Sequence, residues 1–589
     1  MRCERQLFDE LVVKSETQFT AECKLEKVEE NIDIYDISIT RNPKEDLGIG
    51  IWIQLTFPIK KAKYRWYCGS RQNKSMQPQW KITSTQDCML AKNEPVCTAF
   101  DNADMNTFTF AVSEIKKSIQ LRAGTKEEDA SFLFGVYVPF HQIKNDPTYS
   151  LKIRVDKRYV HYGKALSDTV KWWENDHNIV PMGVPERAKM PMYSTWYTFH
   201  QELKDEEIER QCVLATELGM KSVIVDDGWQ MATNDGFSQA YVHAGDWNVC
   251  EKVIKNMKKH VEKIHKMGLS YILWFSVPYL GCKAKNYERF SDMLLYKIDG
   301  AGVSVLDPRY PEVREFLINK YEEFLVKYNI DGFKLDFIDS FYVENEPPKN
   351  DRMDIECVCD AVEVLMTDVK ERLTKIKPDI MIEFRQAYIG PMIRKFGNML
   401  RVGDCAYDAT ANRCGIADIR LTAGKSAVHS DMLMWHPEEK AEDAAFQLIN
   451  SIFGVIQFSL DIDKLSDEHK QMSKFWLNFA LDKRHTLFDC EFIAHEPNHS
   501  YPVLEAFNDE ECIAGIYCRN KVLKAKAGKR LYIVNGSPDE YNYVEFDEEF
   551  TADCTIYDCM GNVVSKETKK FEKGVNVIAS KVSGLVVIE

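Results

Sequence analysis

The sequence of 589 residues is longer than a single hydrophobic core usually serves, so two to four domains are expected. Its 45% hydrophobic and 28% charged residues are ordinary for globular domains. The formal charge of −15 at pH 7 gives no sign of a basic surface, and a nucleic-acid partner is therefore disfavoured.

No segment predicts export or membrane insertion. Residues 1–16 lack the apolar stretch of a signal peptide, and no run of about 18 apolar residues occurs. The 17 cysteines have no regular spacing, which favours free thiols in a reducing compartment over a disulfide framework. We therefore expect a cytoplasmic protein with no membrane partner.

Residues 1–170 are predicted to form an N-terminal β-sandwich domain. Apolar and polar side chains alternate there, for example at Ile51, Ile53 and Leu55, and this period of two indicates strands with one buried face. An antiparallel arrangement of these strands is expected.

Residues 171–486 predict a catalytic (β/α)₈ barrel. Short β-rich runs alternate with helical patterns, such as the one that ends at Gly219, and this alternation is typical of a parallel α/β fold. The long loop 228–250 would lie on the catalytic face of such a barrel. The eight strand-like runs are 193–199, 221–229, 271–277, 332–337, 380–385, 399–404, 427–434 and 453–460.

The last part of the chain, residues 487–589, returns to short strand patterns, for example at 512–518 and 584–589. It predicts a C-terminal β-sandwich domain. The expected architecture is therefore a central TIM barrel flanked by an N-terminal β-sandwich and a small C-terminal β domain.

Four aspartates lie at the ends of predicted barrel strands, where barrel active sites are built. Asp226 and Asp227 follow the second strand, Asp336 ends the fourth, and Asp404 ends the sixth. Glycoside hydrolysis needs two separated carboxylates in one cleft, because one attacks the anomeric carbon while the other protonates the leaving oxygen. A single aspartate at a strand end is more often a helix cap, so the combination carries the hypothesis.

Cationic and aromatic side chains accompany these aspartates. Lys334 projects from the same strand face as Asp336 and would keep that carboxylate ionised. Arg401 could orient Asp404, contact a substrate, or only neutralise Asp404 in a structural pair. Arg385 ends the fifth strand, and aromatic residues near strands are more often core than sugar platforms. The aromatic candidates for substrate binding are Trp196, Tyr197, Trp229 and Trp274.

Five short motifs resemble glycoside hydrolase family 36, the α-galactosidase family, which also has an N-terminal β-supersandwich, a barrel and a C-terminal β domain. The Lys-x-Asp and Asp-Asp-Gly-Trp motifs, in this order and spacing, are the more specific part of the resemblance. The motifs are Ser194-Thr195-Trp196-Tyr197, Val225-Asp226-Asp227-Gly228-Trp229, Gly245-Asp246-Trp247, Phe333-Lys334-Leu335-Asp336-Phe337 and Arg401-Val402-Gly403-Asp404.

The resemblance implies a retaining, exo-acting hydrolase that releases terminal α-galactosyl residues through a covalent glycosyl-aspartate intermediate. Asp336 matches the nucleophile of the family and Asp404 its general acid/base. Asp226 and Asp227 match the pair that binds the 4- and 6-hydroxyls of the galactose, and Lys334 matches a further sugar contact. Trp196 and Tyr197 lie where the family places aromatic rings against the sugar.

Two features of the motifs leave alternatives for the sugar. Many family members have a cysteine and a glycine-rich stretch after strand five, where this chain has Glu383-Phe384-Arg385-Gln386, so recognition at C2 is predicted to differ. The motifs of strands four and six also match family 31, which acts on α-glucosides and α-xylosides. A transglycosylase and a non-catalytic carbohydrate-binding protein on a degenerate barrel are further alternatives, and the presence of both carboxylates disfavours the latter.

No metal and no other cofactor is predicted, because the sequence has neither a His-Glu-x-x-His motif nor a phosphate-binding loop. Cys357 and Cys359 have no second ligand pair nearby and are predicted to be thiols. His429 and Asp431 could contact a sugar, but structural hydrogen bonding is favoured. The expected partner is an oligosaccharide or glycoside with a terminal α-linked sugar. Family members are often oligomeric, so the resemblance also allows a homo-oligomer.

Overall fold

The computed structural model of the protein describes residues 3–42, 44, 49–143, 147–230 and 241–589. They form N-terminal antiparallel sheets, an eight-stranded parallel barrel and C-terminal sheets, which confirms the predicted fold class. None of the described helices has the length and apolar character needed to cross a bilayer. All 17 cysteines lie in the described part and are free thiols.

The N-terminal part consists of two six-stranded antiparallel sheets. Its strands are β1 (Cys3–Phe8), β2 (Leu11–Ser15), β3 (Phe19–Glu29), β4 (Ile32–Arg41), β5 (Gly50–Pro58), β6 (Tyr64–Trp66), β7 (Thr85–Cys88), β8 (Val96–Phe100), β9 (Asn106–Val112), β10 (Ile119–Lys126), β11 (Ser131–Pro139) and β12 (Thr148–Asp156). The strand orders are β1-β2-β5-β11-β10-β7 and β3-β4-β12-β9-β8-β6. The sheets share an apolar core in which the rings of Phe110 and Phe134 stack, with centroids 4.7 Å apart.

The barrel follows helix α1 (Tyr162–Asp176). Its strands and those of its inserted sheet are β13 (Met192–Ser194), β14 (Ser222–Val225), β15 (Ser270–Ser276), β16 (Tyr279–Gly281), β17 (Leu294–Ile298), β18 (Val303–Leu306), β19 (Gly332–Asp336), β20 (Met381–Arg385), β21 (Met399–Arg401), β22 (Ala427–His429) and β23 (Gln457–Phe458). The remaining helices are α2 (Trp196–Phe199), α3 (Asp205–Glu217), α4 (Met257–Lys266), α5 (Tyr287–Phe290), α6 (Pro311–Tyr328), α7 (Val358–Ile376), α8 (Ile393–Phe396), α9 (Ala409–Arg420), α10 (Ala441–Ser451), α11 (Asp467–Asp482) and α12 (Arg484–Asp489).

The eight barrel strands are hydrogen-bonded in the order β22-β21-β20-β19-β15-β14-β13-β23. Parallel bridges from His429 to Val455 and from Leu433 to Phe458 join the two ends of this sheet, so the barrel closes. Strands β16, β17 and β18 form a separate antiparallel sheet between β15 and α6. The carboxyl ends of all eight strands therefore open on one face.

The predicted runs lie in the right places, but several strands are shorter than the runs. The first run forms a strand only as far as Ser194. The chain then turns into α2, where the backbone N–H groups of Tyr197 and Thr198 donate to Ser459 Oγ at 3.0 and 3.1 Å. Of the predicted loop 228–250, residues 231–240 lie outside the described part.

The C-terminal part contains a seven-stranded and a three-stranded sheet. Its strands are β24 (Glu491–His495), β25 (Val503–Phe507), β26 (Glu511–Ile516), β27 (Val522–Ala525), β28 (Arg530–Asn535), β29 (Tyr541–Phe546), β30 (Phe550–Tyr557), β31 (Val563–Phe571), β32 (Gly574–Ala579) and β33 (Leu585–Ile588). An apolar core of its own, which includes Ile533 and Phe571, lies between these sheets.

A buried polar cluster joins the three parts of the chain. Lys74 Nζ of the N-terminal part forms an ion pair of 2.8 Å with Asp418 on α9. Trp66 Nε1 donates to the same carboxylate at 2.7 Å, and the hydroxyl of Tyr501, from the C-terminal part, donates to it as well. A buried charge that is paired and hydrogen-bonded in this way fixes the arrangement of its partners.

Candidate active site

Asp336 is the last residue of β19, and donors from three neighbouring elements hold its carboxylate. Trp274 Nε1 on β15 donates to Oδ2 at 3.0 Å. Arg385 Nε, at the end of β20, donates to Oδ1 at 3.0 Å, and the hydroxyl of Tyr388 also donates to Oδ1. The backbone N–H of Phe337 donates to Oδ1 at 2.9 Å. Oδ1 thus receives three hydrogen bonds from the described residues, whereas Oδ2 receives one.

These donors keep Asp336 ionised although its residue is only 6% exposed. Burial alone would raise the pKa of this carboxyl group. The positive charges of Arg385 and Lys334 and the hydrogen bonds outweigh burial and lower the pKa to about 2. The side chain is therefore a carboxylate at any pH near neutrality.

Lys334 and Asp226 form a buried ion pair across the barrel mouth. Lys334 Nζ lies 2.6 Å from Asp226 Oδ2, and the two side chains are 5% and 4% exposed. The backbone N–H of Asp226 donates to Thr195 Oγ1 at 2.9 Å, which fixes the end of β14 against the end of β13. The ammonium of Lys334 and the carboxylate of Asp226 therefore have fixed positions relative to each other.

Asp227 differs from its neighbour in having amide rather than cationic partners. Gln201 Nε2 donates to Oδ2 and Gln230 Nε2 donates to Oδ1, both at 2.6 Å. Burial dominates over these bonds and raises the pKa of Asp227 to about 6. Asp227 is thus a buried carboxyl group held by two side-chain amides.

Asp404 lies after the end of β21 and has a side chain that is 58% exposed. Arg401 Nη2 donates to its Oδ1 at 2.9 Å. Partial burial raises the pKa of Asp404, but Arg401 and Arg385 outweigh burial and place the pKa below its usual value. Lys334 contributes in the same direction, so Asp336 and Asp404 share the field of the same two cations, Arg385 and Lys334.

Arg401 is buried beneath Asp404 and pairs with a second carboxylate. Its Nη1 donates to Asp431 Oδ1, and Asp431 Oδ2 accepts from the Tyr197 hydroxyl at 2.8 Å and from the Cys405 N–H at 2.7 Å. Arg401 is 1% exposed and donates to two protein carboxylates, which is the structural pairing that the sequence allowed, and its contact with a substrate stays a prediction. Asp431 likewise serves the structural role that the sequence favoured.

Aromatic rings line the mouth beside Asp336. Phe337 has a left-handed backbone with φ 64°, and its ring stacks on Tyr279 at a centroid distance of 4.8 Å. Tyr241 meets Phe337 edge to face at 5.6 Å, and the charges of Asp227 and Asp336 act on its hydroxyl. Half-buried apolar rings beside charged groups are suited to a sugar, which has both apolar faces and polar edges.

Trp196 and Tyr197 lie half-buried in α2, directly after β13, and their contact with a sugar stays a prediction. Trp274 lies at the mouth, but its indole N–H is used by Asp336. Trp229 was wrongly predicted to contact the substrate. It is 0% exposed, its Nε1 donates to the Trp274 carbonyl oxygen at 2.8 Å, and its ring packs on Phe324 of α6, in the layer between strands and helices.

Several site residues had no signal in the sequence. Tyr388, Tyr241 and Gln201 come from loops, and no motif or periodicity marks them. The candidates that the barrel does bring together at its mouth are Asp226, Asp227, Lys334, Asp336, Arg385 and Asp404, with Trp196, Tyr197 and Trp274 at its edges.

Two groups of potential metal ligands occur among the described residues, and both lie away from these carboxylates. One consists of Asp104, His161 and His495, and the other of Cys357, Cys359 and Asp360. His161 Nδ1 already accepts the Gly163 N–H at 3.2 Å, so its remaining nitrogen carries the proton of a neutral ring and offers no lone pair.

A comparison with models of known protein families shows which family the chain belongs to. The model of the Melibiase family matches residues 176–489, which is more than half of the chain and includes every catalytic candidate. The chain belongs to the Melibiase family. This membership confirms the resemblance to the α-galactosidases of glycoside hydrolase family 36.

Relatives of this Melibiase chain are distant in sequence. α-Galactosidase Mel36A of Lactobacillus acidophilus is 22% identical over 303 residues, a match that covers 48% of this chain and 39% of that protein. The α-galactosidase AgaA of Geobacillus stearothermophilus is 23% identical over 157 residues, or 26% of this chain and 21% of that protein. The chain thus matches well under half of the length of these curated relatives.

Solved structures share the fold over nearly the whole chain. The α-galactosidase from Lactobacillus brevis has a TM-score of 0.64 at 12% identity and covers 100% of this chain and 85% of its own. AgaA in complex with stachyose has a TM-score of 0.63 at 13% identity, with 98% and 81% covered. A family 31 sulfoquinovosidase from E. rectale has a TM-score of 0.62 at 12% identity, with 100% and 88% covered, so the fold alone does not separate the two families.

Proposed function

We propose that the protein is a retaining, exo-acting glycoside hydrolase that releases terminal α-galactosyl residues. The observation that carries this proposal is the state of Asp336, a nearly buried carboxylate at the end of a central strand whose pKa is held at about 2. An ionised carboxylate in that position can attack an anomeric carbon without first losing a proton. Family membership and the α-galactosidase relatives support the choice of galactose.

Binding of the sugar uses the polar groups around the nucleophile. As the family resemblance implies, Asp226 and Asp227 bind the 4- and 6-hydroxyls of the terminal sugar. Lys334 makes a further contact to the same sugar. A buried charge left without its hydroxyl partner is costly, so fixed carboxylates discriminate an axial from an equatorial 4-hydroxyl. Because these groups line the floor of the barrel mouth, they hold a chain end rather than the middle of a polymer.

In the first step, Asp336 attacks the anomeric carbon and the glycosidic bond breaks. Oδ2 is the attacking atom, because it accepts only the Trp274 hydrogen bond while Oδ1 already accepts three. Asp404 donates a proton to the departing oxygen, and a β-linked glycosyl-aspartate remains. The hydrogen bonds to Oδ1 keep the carboxylate orientation fixed during the attack.

In the second step, Asp404 is a carboxylate and accepts a proton from water, which attacks the anomeric carbon and releases Asp336. Two inversions give a product with the α configuration of the substrate. In the free protein, Arg401 keeps the pKa of Asp404 low, so the acid form is produced in the complex. A bound sugar covers the exposed face of Asp404, removes water from it and raises its pKa.

A panel of nitrophenyl α-glycosides of galactose, N-acetylgalactosamine, glucose and xylose tests the substrate. We expect the galactoside to have the highest kcat/KM, since the family membership points to galactose. Hydrolysis of only the nitrophenyl α-glucoside or α-xyloside would instead favour the family 31 type of activity. Proton NMR of the first product formed tests the stereochemistry, and an initial β-anomer would contradict the retaining mechanism.

The variant Asp336→Asn tests the nucleophile. We expect kcat to fall by at least about 10³-fold, because the neutral amide cannot form the glycosyl ester. Asp339→Asn is a matched control: this nearby carboxyl group also faces Arg385, its pKa is raised by burial, and we expect a loss of less than about tenfold. An Asp336→Asn protein that keeps more than a few per cent of the activity would refute the assignment.

A further inference from the structure

A groove of about 910 Å³ runs between the barrel and the C-terminal sheets. Its barrel wall includes the loop after β21 with the start of α9 and the first two turns of α10, and Ser537 and Ser583 belong to the opposite wall. Both barrel elements follow the carboxyl end of a strand, so they lie on the face where the candidate active site opens. The volume is within the range of small-molecule sites.

Tyr407 presents an aromatic ring to this groove only three residues after Asp404. Three Cα–Cα steps place the two residues at most about 11 Å apart, a distance that one or two sugar units can span. Tyr407 is 56% exposed, so its ring is open to solvent. An exposed aromatic ring therefore lies close to the candidate acid/base.

The backbone of Tyr407 has a fixed conformation. Its φ is 66°, a left-handed conformation that tyrosine rarely adopts. The carbonyl oxygen accepts the Ala409 N–H at 3.1 Å and Gln447 Nε2 at 2.8 Å, and these bonds keep the residue in place. A backbone that is fixed before the ligand arrives loses little conformational entropy on binding.

The charge of the groove restricts its occupant. Four carboxylates line it, and none of its described lining residues is Lys, Arg or His. Such a surface repels anions and accepts hydrogen bonds from hydroxyl groups. The carboxylates are Asp408, Glu439, Glu442 and Asp443.

We propose that this groove binds the leaving-group sugars of a neutral oligosaccharide, with Tyr407 as their stacking platform. The inference rests on the proposed function, because the leaving group departs on the side where Asp404 protonates it. The preferred substrates are therefore neutral oligosaccharides with several sugar units beyond the terminal galactose, rather than small aryl glycosides.

The test compares kcat/KM on stachyose with kcat/KM on nitrophenyl α-galactoside for three proteins. These are the wild type, Tyr407→Ala and the control Tyr159→Ala. Tyr159 is 55% exposed, its hydroxyl bonds a carboxylate, Asp101, and the charge of a carboxylate, Glu439, likewise acts on the Tyr407 hydroxyl. We expect Tyr407→Ala to lose about tenfold on stachyose and less than about twofold on the aryl substrate. The control should be unchanged on both.

An equal loss on both substrates, or none on either, would overturn the groove assignment while leaving the proposed function intact. Asp443→Lys provides a second variant at an exposed position, and it should allow faster turnover of an oligosaccharide that ends in a uronic acid. No gain on that substrate would also count against the assignment. If the wild type hydrolyses neither the aryl galactoside nor stachyose, the proposed function fails. Titration calorimetry with stachyose then tests the groove alone: about tenfold weaker binding by Tyr407→Ala supports it, and unchanged binding overturns it.

Discussion

Arg401 donates from Nη2 to Asp404 Oδ1 at 2.9 Å, although the Asp404 side chain is 58% exposed and that of Arg401 is 1% exposed. The proposed acid/base is thus held from below by a buried cation that is itself neutralised by Asp431. The outer side of Asp404 faces solvent and is free for a leaving group. We therefore expect the pKa of Asp404 to depend on whether a sugar covers it.

The pH dependence of turnover should reveal this coupling. Arg401 lowers the pKa of Asp404 in the free protein, and desolvation by a bound sugar raises it. The acid form is lost as pH rises through that pKa, so the alkaline limb of kcat should lie at higher pH than that of kcat/KM. Steady-state kinetics on an aryl α-galactoside from about pH 3 to about pH 9 measure both limbs. Coincident limbs would show that the sugar does not desolvate Asp404.

The neighbours Asp226 and Asp227 should respond oppositely to conversion into asparagine. Burial raises the pKa of Asp227 from 3.8 to about 6, so the folded protein binds this proton more tightly than the unfolded chain does. Its contribution to stability is present below about pH 4 and is lost as pH rises through about 6. Asp227→Asn should therefore be more stable than wild type at pH 7, by up to about 3 kcal/mol, and equal to it below about pH 4. Urea unfolding at both pH values measures this difference.

Asp226→Asn is the matched comparison, since it leaves the buried ammonium of Lys334 without its partner. We expect this variant to lose about 3 kcal/mol or more of unfolding free energy at pH 7. Both variants should lose activity, because each removes a proposed contact to the sugar. A stabilised Asp226→Asn, or an Asp227→Asn that is less stable than wild type at pH 7, would contradict the assignment of charge states.

Removal of the Tyr388 hydroxyl should weaken the nucleophile without removing it. The hydroxyl donates to Asp336 Oδ1 and helps to lower the pKa of that carboxyl group. We expect Tyr388→Phe to reduce kcat/KM by about 10- to 100-fold and to move its acid limb to higher pH. Tyr321→Phe is the control, because the buried Tyr321 hydroxyl has no hydrogen-bond partner among the described residues, and its removal should leave the kinetics unchanged. Equal profiles for both variants would remove Tyr388 from the site.

The barrel and its carboxylates were predictable because local sequence determines them. A buried parallel strand is a short apolar run, and a polar residue at its carboxyl end lies on the active face whatever the rest of the chain does. Lys334 and Asp336 illustrate this, since residues two apart on one strand project to the same side. The pairing of Lys334 with Asp226, by contrast, depends on the strand order.

The partners of the carboxylates were not predictable, because they come from loops placed by tertiary packing. Tyr388 reaches Asp336 from the loop after β20, and no periodic pattern marks it. Trp229 shows the opposite error: its motif lies at the mouth, but its ring turns into the layer between strands and helices. The residues of an aromatic motif do not show which rings point into the barrel mouth and which pack between the strands and the helices.

Covalent trapping tests the central claim, that Asp336 forms a glycosyl ester, most directly. A 2-deoxy-2-fluoro-α-galactosyl fluoride slows both steps but speeds departure of the leaving group, so the intermediate accumulates when hydrolysis is the slower step. Digestion and mass spectrometry should locate one fluorogalactosyl group on Asp336, and Asp336→Asn should remain unlabelled. An adduct on another residue, or fast turnover with an inverted product and no adduct, would contradict the account.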